Sequence, residues 1–449
     1  MSVFTALRVR PFDPERSAVE VAAVRLGIDV EVEGPGDTRI AYVGDELTEV
    51  GRYEAHVNTV FCSLRHWEDF PRIASNVDAS AFCAAQPLAT QADVFQWSVE
   101  RGALRVLLGE EEGNSYAHVL LLAHCIRNAG SETTAYGPAT SGIGTTTDAS
   151  LGLFPRLVRA LLADGASRFD FELSIFQNVE HQVWDLLDAT SEVFSAESGD
   201  PCGAMCAPGG ENPRSVRETV DTVRGTAGTQ RCCWIGAVAL SGWRDFAEAR
   251  DFAHDNARRT ASTAGPPAMY DGHVFSELRV TERATGVVRT LLAVRLVADP
   301  VHREAKIVRS KLALAAYGAT RACASMRFEE EHPEEHAAFH RRQLGKIAAV
   351  HEVGDMLAAF HRSRRAPPGS TKKREWRRQY ARFTANYLKA RLPDALTLVV
   401  GAIRPEAETS REMRGTLAFF DRVTGSADRQ EVGGFAAAAD SGMVVNDAP

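Results

Sequence analysis

The chain has 449 residues, with 51 Lys and Arg against 59 Asp and Glu, and a formal net charge of −8. With 45% hydrophobic and 24% charged residues, its composition is that of a globular protein and excludes wholesale disorder. No apolar run approaches the ~18 residues of a membrane-spanning helix, and the first residues lack the pattern of a secretory signal. We therefore expect a cytosolic protein, with no membrane partner and, given its overall charge, no nucleic-acid partner.

The eight cysteines are scattered, which is unlike the clustered pattern of a disulfide framework. Cys202, Cys206, Cys232 and Cys233 suggest a zinc site, but two adjacent cysteines rarely bind one tetrahedral metal. We expect free thiols and no metal site.

Strand-like and helical patterns alternate along the chain, which predicts an α/β architecture. In chain order the predicted elements are a strand at Thr5–Val9, a helix at Phe154–Ala163, a strand at Phe169–Phe176, a helix at Trp243–Ala257, strands at Val274–Val280 and Val288–Val297, helices at Arg303–Ala322 and Phe339–Phe360, and a strand at Leu396–Ile403. There is no internal repeat and no heptad run long enough for a coiled coil.

Three stretches differ from this pattern in composition. Residues 193–230 are rich in Gly, Pro, Ser and Thr and are interpreted as a loop insertion, and residues 362–391 as a basic insertion. Residues 426–449 are rich in Gly, Ala and Asp, which predicts a disordered tail. We therefore predict one folded domain over residues 1–425 with two insertions.

The basic insertion holds eleven Lys and Arg and one acid, which leaves the rest of the chain with a net charge of −18. Trp376, Tyr380, Phe383 and Tyr387 are spaced to share one helical face. Such a helix packs its aromatic face on the body and exposes arginines, or it contacts a polyanion, and the two interpretations are compatible. The candidate contact residues are Arg364, Arg365, Lys372, Lys373, Arg374, Arg377 and Arg378.

A glycine-rich segment from Ala135 to Thr147 is the most informative motif. Gly137 and Gly142 have the separation of G-x-x-x-x-G-K-[ST], a loop whose backbone amides bind phosphates. Ile143 stands at the lysine position and Gly144 at the magnesium-ligand position. Thr145 supplies the hydroxyl only if the register slips. No lysine precedes Lys306, so none is close in sequence to replace the missing charge.

This segment resembles the nucleotide loop of the kinesin motor domain, A-Y-G-Q-T-G-S-G-K-T, and further landmarks of that family follow in order across residues 5–423. The similar segments are Arg8 to Pro11 with R-x-R-P, Gln91 to Phe95 with Q-x-D-V-Y/F, Gly152 to Arg156 with G-I-I-P-R, Val183 to Leu187 with V-x-D-L-L, Glu304 to Leu312 with E-A-x-x-I-N-K-S-L, His336 to Leu344 with H-x-P-Y-R-D-S-K-L, and Thr416 to Phe419 with T-L-x-F. The resemblance implies the kinesin-type P-loop NTPase fold, a central mixed sheet flanked by helices on both faces.

The sequence departs from the family at both switch motifs. Counting back from His273, the positions of N-x-x-S-S-R-S-H include Asp271 and hold none of the serines or the arginine. At the D-L-A-G-S-E motif, Arg295 replaces the acid that faces magnesium, and Ala298 replaces the glycine. These four residues are the switch equivalents, and we expect no catalytic residue among them, because the groups that hold magnesium and position water are gone.

By resemblance, the vestigial nucleotide-binding residues are Arg8, Arg10, Pro11, Phe95, Gly137, Ser141, Gly142, Ile143, Gly144 and Thr145. No cofactor is expected, and ATP or ADP with magnesium binds only if this site still functions. Arg8, Arg10, Pro11 and Phe95 have the alternative of ordinary strand and core packing.

Three functional interpretations remain open. The leading one is a kinesin-like, microtubule-associated scaffold that does not hydrolyse ATP, located in the cytoplasm on the cytoskeleton, with the spindle and the axoneme both possible. The second is a divergent ATP-dependent microtubule motor. The third is a partner module bound to another kinesin subunit, which is favoured by the shortened segment after Arg295. An unrelated α/β enzyme lacks a supporting set of catalytic residues.

Overall fold

The computed structural model describes thirteen strands and eight α-helices. The described residues are 3–9, 28–34, 37–42, 53–62, 89–110, 116–125, 131–136, 151–179, 182–187, 215–224, 230–263, 272–297, 333–367, 370–371, 375–378, 380–403 and 410–424. The strands are β1 Val3–Val9, β2 Ile28–Gly34, β3 Asp37–Tyr42, β4 Tyr53–Val57, β5 Thr59–Cys62, β6 His118–Cys125, β7 Phe169–Val179, β8 Gln182–Asp185, β9 Ser215–Arg224, β10 Gln230–Leu240, β11 His273–Glu282, β12 Val288–Val297 and β13 Ala395–Ile403.

The helices are α1 Gln91–Glu100, α2 Ala103–Leu108, α3 Ser131–Tyr136, α4 Leu153–Gly165, α5 Trp243–Thr263, α6 Pro333–Arg365, α7 Phe383–Arg391 and α8 Ser410–Thr424. A 3₁₀ turn at Leu392–Asp394 joins α7 to β13.

Ten of the described strands form one mixed sheet in the order β5-β1-β13-β6-β12-β11-β7-β10-β9, with β8 paired to β7. The five strands β5, β1, β13, β6 and β12 are parallel, whereas β11, β7, β10 and β9 pair antiparallel in turn. The remaining three strands form a small antiparallel sheet, β2-β3-β4.

Helices cover both faces of the main sheet because its central strands are apolar on both sides. In β6, Leu120 and Leu122 belong to the core under α6, α7 and α8, whereas Val119, Leu121 and Ala123 belong to the core under α1 to α5. Successive side chains of a strand point to opposite faces, so one apolar run supplies both cores. The predicted fold class, a mixed sheet with helices on both faces, is confirmed.

The small sheet packs with the face that carries α8. Ile40 of β3 and Ala55 and Val57 of β4 lie in the same buried cluster as Met413 and Phe420 of α8. This arrangement leaves α8 between the small sheet and the main sheet.

The predicted strands and the helices at residues 154–163, 243–257 and 339–360 are confirmed, most of them with longer bounds. The loop interpretation of residues 193–230 is wrong for Ser215–Arg224, which forms β9 and pairs with β10. This segment is rich in Val and Thr, which are favoured in strands, but the composition of the residues before it obscured that signal. The predicted helix Arg303–Ala322 and the predicted tail 426–449 lie outside the described residues.

The expectation of a single aromatic helix face in the basic insertion is also wrong. Trp376 and Tyr380 lie before α7, and only Phe383 and Tyr387 are helical. All four side chains are nevertheless buried in the core under α6 and α7. The predicted packing of the aromatic residues on the body is therefore confirmed.

Candidate functional site

The carboxyl ends of the parallel strands define the candidate site. Four parallel strands end at one edge of the sheet: β1 at Val9, β13 at Ile403, β6 at Cys125 and β12 at Val297. The antiparallel strand β11 begins at the same edge, at His273. Ligands of α/β proteins bind outside this edge, because the loops after parallel strands converge there. We call it the carboxyl edge.

A phosphate-binding loop connects a strand to the helix that follows it, and at this edge that connection is residues 126–130 between β6 and α3. The sequence analysis placed the loop later, in the glycine-rich segment from Ala135 to Thr147. The first two residues of that segment, Ala135 and Tyr136, lie in α3 and are buried against the sheet. The predicted binding residues Gly137, Ser141, Gly142, Ile143, Gly144 and Thr145 follow this helix in the chain and lie outside the described residues, so their assignment stays a prediction.

The strand-to-helix connection gives a different register for the motif. Cys125 and Gly130 have the spacing of the two glycines in G-x-x-x-x-G-K-[ST], which puts Ser131 at the lysine position and Glu132 at the hydroxyl position. The signal that could have found this register is the apolar run of β6, which ends just before it. In this register too, lysine is missing from the motif.

Arg8 and Phe95 of the expected nucleotide pocket lie on the face of the sheet that carries α1 and α3. The Arg8 Nη1 atom donates to Thr134 Oγ1 over 3.4 Å and so links β1 to α3. Phe95 is half-buried against the same core. The role of Arg8 and Phe95 in binding a nucleotide stays a prediction, and Arg10 and Pro11 lie outside the described residues.

The α1 helix is held at this face by a capping box. Thr90 Oγ1 accepts from the Ala92 backbone N–H, and the Asp93 carboxylate accepts from the Thr90 backbone N–H and hydroxyl. These hydrogen bonds from Thr90 lower the pKa of Asp93. The carboxylate of the Q-x-D-V-F segment is therefore engaged in capping the helix.

His273 connects two strands at the carboxyl edge. Its Nδ1 accepts the backbone N–H of Val297 over 3.0 Å, and the residue is 2% exposed. Burial, together with the positive charges of Lys346 and Arg295, lowers the pKa of His273 to about 3. The ring is therefore neutral at physiological pH and acts as a fixed hydrogen-bond acceptor.

Arg295 lies where the resemblance placed an acid. It pairs with Val274 of β11 and Ala123 of β6, two residues before the ends of β12 and β6. Its Nε and Nη1 atoms are buried. The structure brings Arg295 and His273 together at the carboxyl edge and adds Lys346 of α6, a buried residue that the sequence did not single out. Asp271 and Ala298 lie outside the described residues.

The Val183–Leu187 segment has a structural role. The Asp185 carboxylate accepts the backbone N–H groups of Leu187 (2.9 Å) and Gly236 (2.7 Å), and Asn256 Nδ2 donates to the Leu186 carbonyl. These buried bonds hold the β7–β8 hairpin against β10 and α5. The Asp185 carboxylate is therefore occupied by backbone donors.

The basic insertion is fixed to the sheet by α7. Phe383 and Tyr387 pack edge-on against the stacked pair Phe176 and Phe275, whose ring centroids are 4.7 Å apart. The Tyr387 hydroxyl donates to Glu277 Oε2 over 2.6 Å. The insertion is thus anchored by a buried aromatic cluster with a buried hydrogen bond.

Arginines of this insertion are exposed on the anchored segment. Arg364, Arg377 and Arg378 are exposed, and the guanidinium groups of the last two lie 5.4 and 5.1 Å from the ring centroids of Trp376 and Tyr380. Arg391, by contrast, pairs with Glu277 inside the fold. Nothing is described of Lys372, Lys373 and Arg374, nor of the Arg365 side chain.

The similarity of this chain to known proteins lies in its structure and not in its sequence. No protein-family model matches the chain, and no curated protein matches its sequence. A structure of a fast kinesin matches with a TM-score of 0.51 at 14% identity, over 94% of this chain and 91% of the other. The motor domain of the Kar3-like kinesin from Ashbya gossypii matches with a TM-score of 0.50 at 12% identity, over 94% of this chain and all of the other.

The chain has the kinesin motor fold. The resemblance drawn from the ordered segments is thereby confirmed as a resemblance of fold, and it extends over nearly the whole chain. At these identities the likeness concerns the fold, so the chemistry depends on the residues at the carboxyl edge.

The kinesin motor fold implies magnesium and a nucleotide at the carboxyl edge, and the described part of that edge carries a cation where such a site has an acid. Phosphate-loop NTPases hold magnesium with a loop hydroxyl and with an acid from a neighbouring strand. Here the strand next to β6 carries Arg295 with two buried guanidinium nitrogens. The described part of the chain contains no cluster of three His, Cys, Asp or Glu suited to a metal.

Among the described helices, none is long and apolar enough to cross a membrane.

Proposed function

We propose that the protein is a kinesin-like, microtubule-associated scaffold of the cytoskeleton that does not hydrolyse ATP. The observation that carries this proposal is Arg295, a guanidinium at the end of β12 beside the strand that leads to α3. Hydrolysis by this class of fold requires magnesium held between the phosphates and an acid, and a fixed cation there opposes the metal.

The loss of the lysine position adds to the loss of the metal site. The phosphate-loop lysine neutralises charge that develops on the transferred phosphoryl group, and each such donor contributes ~10²–10³ in rate. The chain has no lysine before Lys306, so neither register of the loop supplies this group. Losing lysine and metal together leaves no useful rate of hydrolysis.

Support for microtubule association comes from the fold and from the exposed arginines. The fast kinesin with this fold was described in terms of its ATPase mechanism and its interactions with microtubules. Arg364, Arg377 and Arg378 form an exposed basic surface on a body whose remaining charge is strongly negative. Such a surface attracts acidic protein surfaces, including that of tubulin.

The deciding experiment is pelleting of the purified chain with microtubules at low salt, with and without ATP. We expect pelleting that ATP does not change, and no phosphate release that microtubules stimulate. Release from microtubules by ATP, or stimulated phosphate release, would favour the divergent motor and overturn the proposal. Failure to pellet under both conditions would favour the module bound to another kinesin subunit.

The contribution of the basic surface is tested by point substitutions, because deleting the insertion would remove core residues. A triple variant, Arg364→Gln, Arg377→Gln and Arg378→Gln, should bind microtubules roughly tenfold more weakly, since each exposed ion pair contributes up to ~1 kcal/mol. The matched control changes three exposed arginines under the opposite face of the sheet. These are Arg105, Arg159 and Arg244. Equal losses in the two variants would mean that net charge matters and that this surface does not.

A further inference from the structure

The basic insertion begins with a loop whose two ends are held together. Phe360, near the end of α6, packs edge-on against Trp376 with ring centroids 4.8 Å apart, and both side chains are buried. Arg364 lies about one helical turn after Phe360, and Arg377 directly follows Trp376. Exposed arginines of the basic surface therefore stand at both ends of this loop.

Thr371 is an exposed residue of the same loop. It follows a turn in which the Ser370 backbone N–H donates to the Pro367 carbonyl oxygen over 3.2 Å. Five residues of chain separate Thr371 from Trp376, so the two lie at most ~18 Å apart. A charge placed on Thr371 therefore becomes part of the basic surface.

The sequence around Thr371 is strongly basic. Residues 364–378 contain seven Lys and Arg and one Glu, a net charge of +6. Three other exposed hydroxyls have a different setting, because each donates to a carboxylate of its own turn. These are Thr90 with Asp93, Ser241 with Asp245, and Thr285 with Glu282. A threonine among cations instead suits an enzyme whose substrate groove is acidic.

We propose that Thr371 is a phosphorylation site for a protein kinase that selects basic sequences, and that its phosphate weakens the attraction of the basic surface to acidic partners. In the transfer, Thr371 Oγ1 bonds to the γ-phosphorus of magnesium ATP as the bond from that phosphorus to the bridging oxygen breaks. ADP leaves, and the hydroxyl proton goes to a base of the kinase. This inference rests on the microtubule association proposed above and adds a means of regulating it.

The phosphate lowers the attraction in two ways. It adds a charge of about −2 to a segment that carries +6. It also offers acceptor oxygens that pair with guanidinium groups through two parallel hydrogen bonds, so that Arg377 or Arg378 is engaged within the chain. Both effects have the same sign, and a glutamate with a single charge should have the smaller effect.

The modification is tested first. The purified full chain and Thr371→Ala are each incubated with magnesium ATP and the catalytic domain of a kinase selective for basic peptides, and their intact masses are measured. We expect the parent chain to take up one phosphate more than Thr371→Ala. Equal uptake by the two chains, or no uptake by the parent chain, would overturn the assignment of the site.

The effect on binding is tested with Thr371→Glu, which needs no kinase. At low salt it should bind microtubules about threefold more weakly than the parent chain, and the phosphorylated chain should bind more weakly still. The matched control is Ser167→Glu, at an exposed position before β7, whose opposite end contacts α7 through Asn178 and Thr384. This control should keep the parent affinity. Equal affinity in Thr371→Glu and the parent chain, or equal losses in the two glutamate variants, would contradict the inference.

A second probe separates this inference from the proposed function. Polyglutamate on a resin presents carboxylates without tubulin, and the salt concentration that elutes each chain reports the charge of the basic surface. Thr371→Glu should elute at lower salt than the parent chain and Ser167→Glu together with it. A parent chain that keeps this order but does not pellet with microtubules would contradict the scaffold function alone. No retention of the parent chain, or one elution salt for all three chains, would overturn the inference.

Discussion

Val297 donates its backbone N–H to Nδ1 of His273 over 3.0 Å, and this bond joins the carboxyl end of β12 to the amino end of β11. The chain before His273 and the chain after Val297 correspond by resemblance to the two switches of kinesin motors. A neutral buried histidine with a lowered pKa holds the two strand ends together where both segments join the sheet.

Substitution of His273 should measure the strength of this connection. His273→Ala leaves the Val297 N–H unsatisfied and creates a cavity, so we expect the free energy of unfolding to fall by ~2–4 kcal/mol. His273→Asn offers an amide oxygen to the same N–H and should lose less. Denaturant unfolding followed by circular dichroism checks both variants. Equal losses in the two variants would show that packing, and not the hydrogen bond, stabilises this edge.

Stability should fall with acidity because of His124 and His273. Burial, with the nearby charge of His351, lowers the pKa of His124 to about 3, and that of His273 is lowered equally far. Both histidines favour the neutral form in the folded state. Their contribution to the free energy of unfolding is therefore present above pH ~6.5 and is lost as the pH falls toward 3. Each histidine contributes a slope of up to ~1.4 kcal/mol per pH unit in this window.

The variant that isolates this effect is His124→Phe, because His124 stacks on Phe419 with ring centroids 4.7 Å apart. Between pH 6 and pH 4, the free energy of unfolding of this variant should fall less steeply than that of the parent chain. The difference in slope should correspond to the uptake of about one proton fewer on unfolding. Identical slopes would contradict the lowered pKa of His124.

The buried group of Glu277, Tyr387 and Arg391 should dominate the attachment of α7. The Glu277 side chain is 4% exposed and accepts from the Tyr387 hydroxyl and from Arg391 Nη2. Arg391→Gln leaves a buried carboxylate without its cation and should cost ~2–4 kcal/mol of stability. Arg283→Gln, which breaks the exposed pair with Asp170, should cost under ~1 kcal/mol. Adding Glu277→Gln to Arg391→Gln should recover part of the loss in urea unfolding.

Two glycines provide a matched test of the contact between β13 and α8. A Cβ at Gly401 would lie 2.5 Å from a ring carbon of Phe420, whereas a Cβ at Gly415 in α8 meets nothing within 4 Å. Gly401→Ala should therefore destabilise the fold by ~1–3 kcal/mol through overpacking. Gly415→Ala should stabilise it by ~0.5–1 kcal/mol, because alanine is the better helix former. Melting temperatures that move in opposite directions would confirm this packing.

The chain's own residues determined the type and order of the main elements. The sequence of β7 alternates with a period of two and that of α5 has a period of 3.6 residues, whereas β12 is a short continuous apolar run, as expected for a strand buried on both faces. The ordered motifs from Arg8 to Phe419 likewise predicted the kinesin motor fold. The near-absence of lysine before Lys306 already removed the usual phosphate-loop cation.

Only the tertiary structure decided which segments meet. The glycine-rich stretch after Tyr136 resembles a phosphate loop in sequence, but pairing of β6 with β12 and β13 places Cys125 at the carboxyl edge, and Tyr136 lies in the helix α3. The meeting of His273, Arg295 and Lys346 likewise depends on strand register and on the packing of α6, and these contacts join residues far apart in the chain. Local periodicity carries no information about such pairings, because register and crossover are set by the packing of the whole sheet.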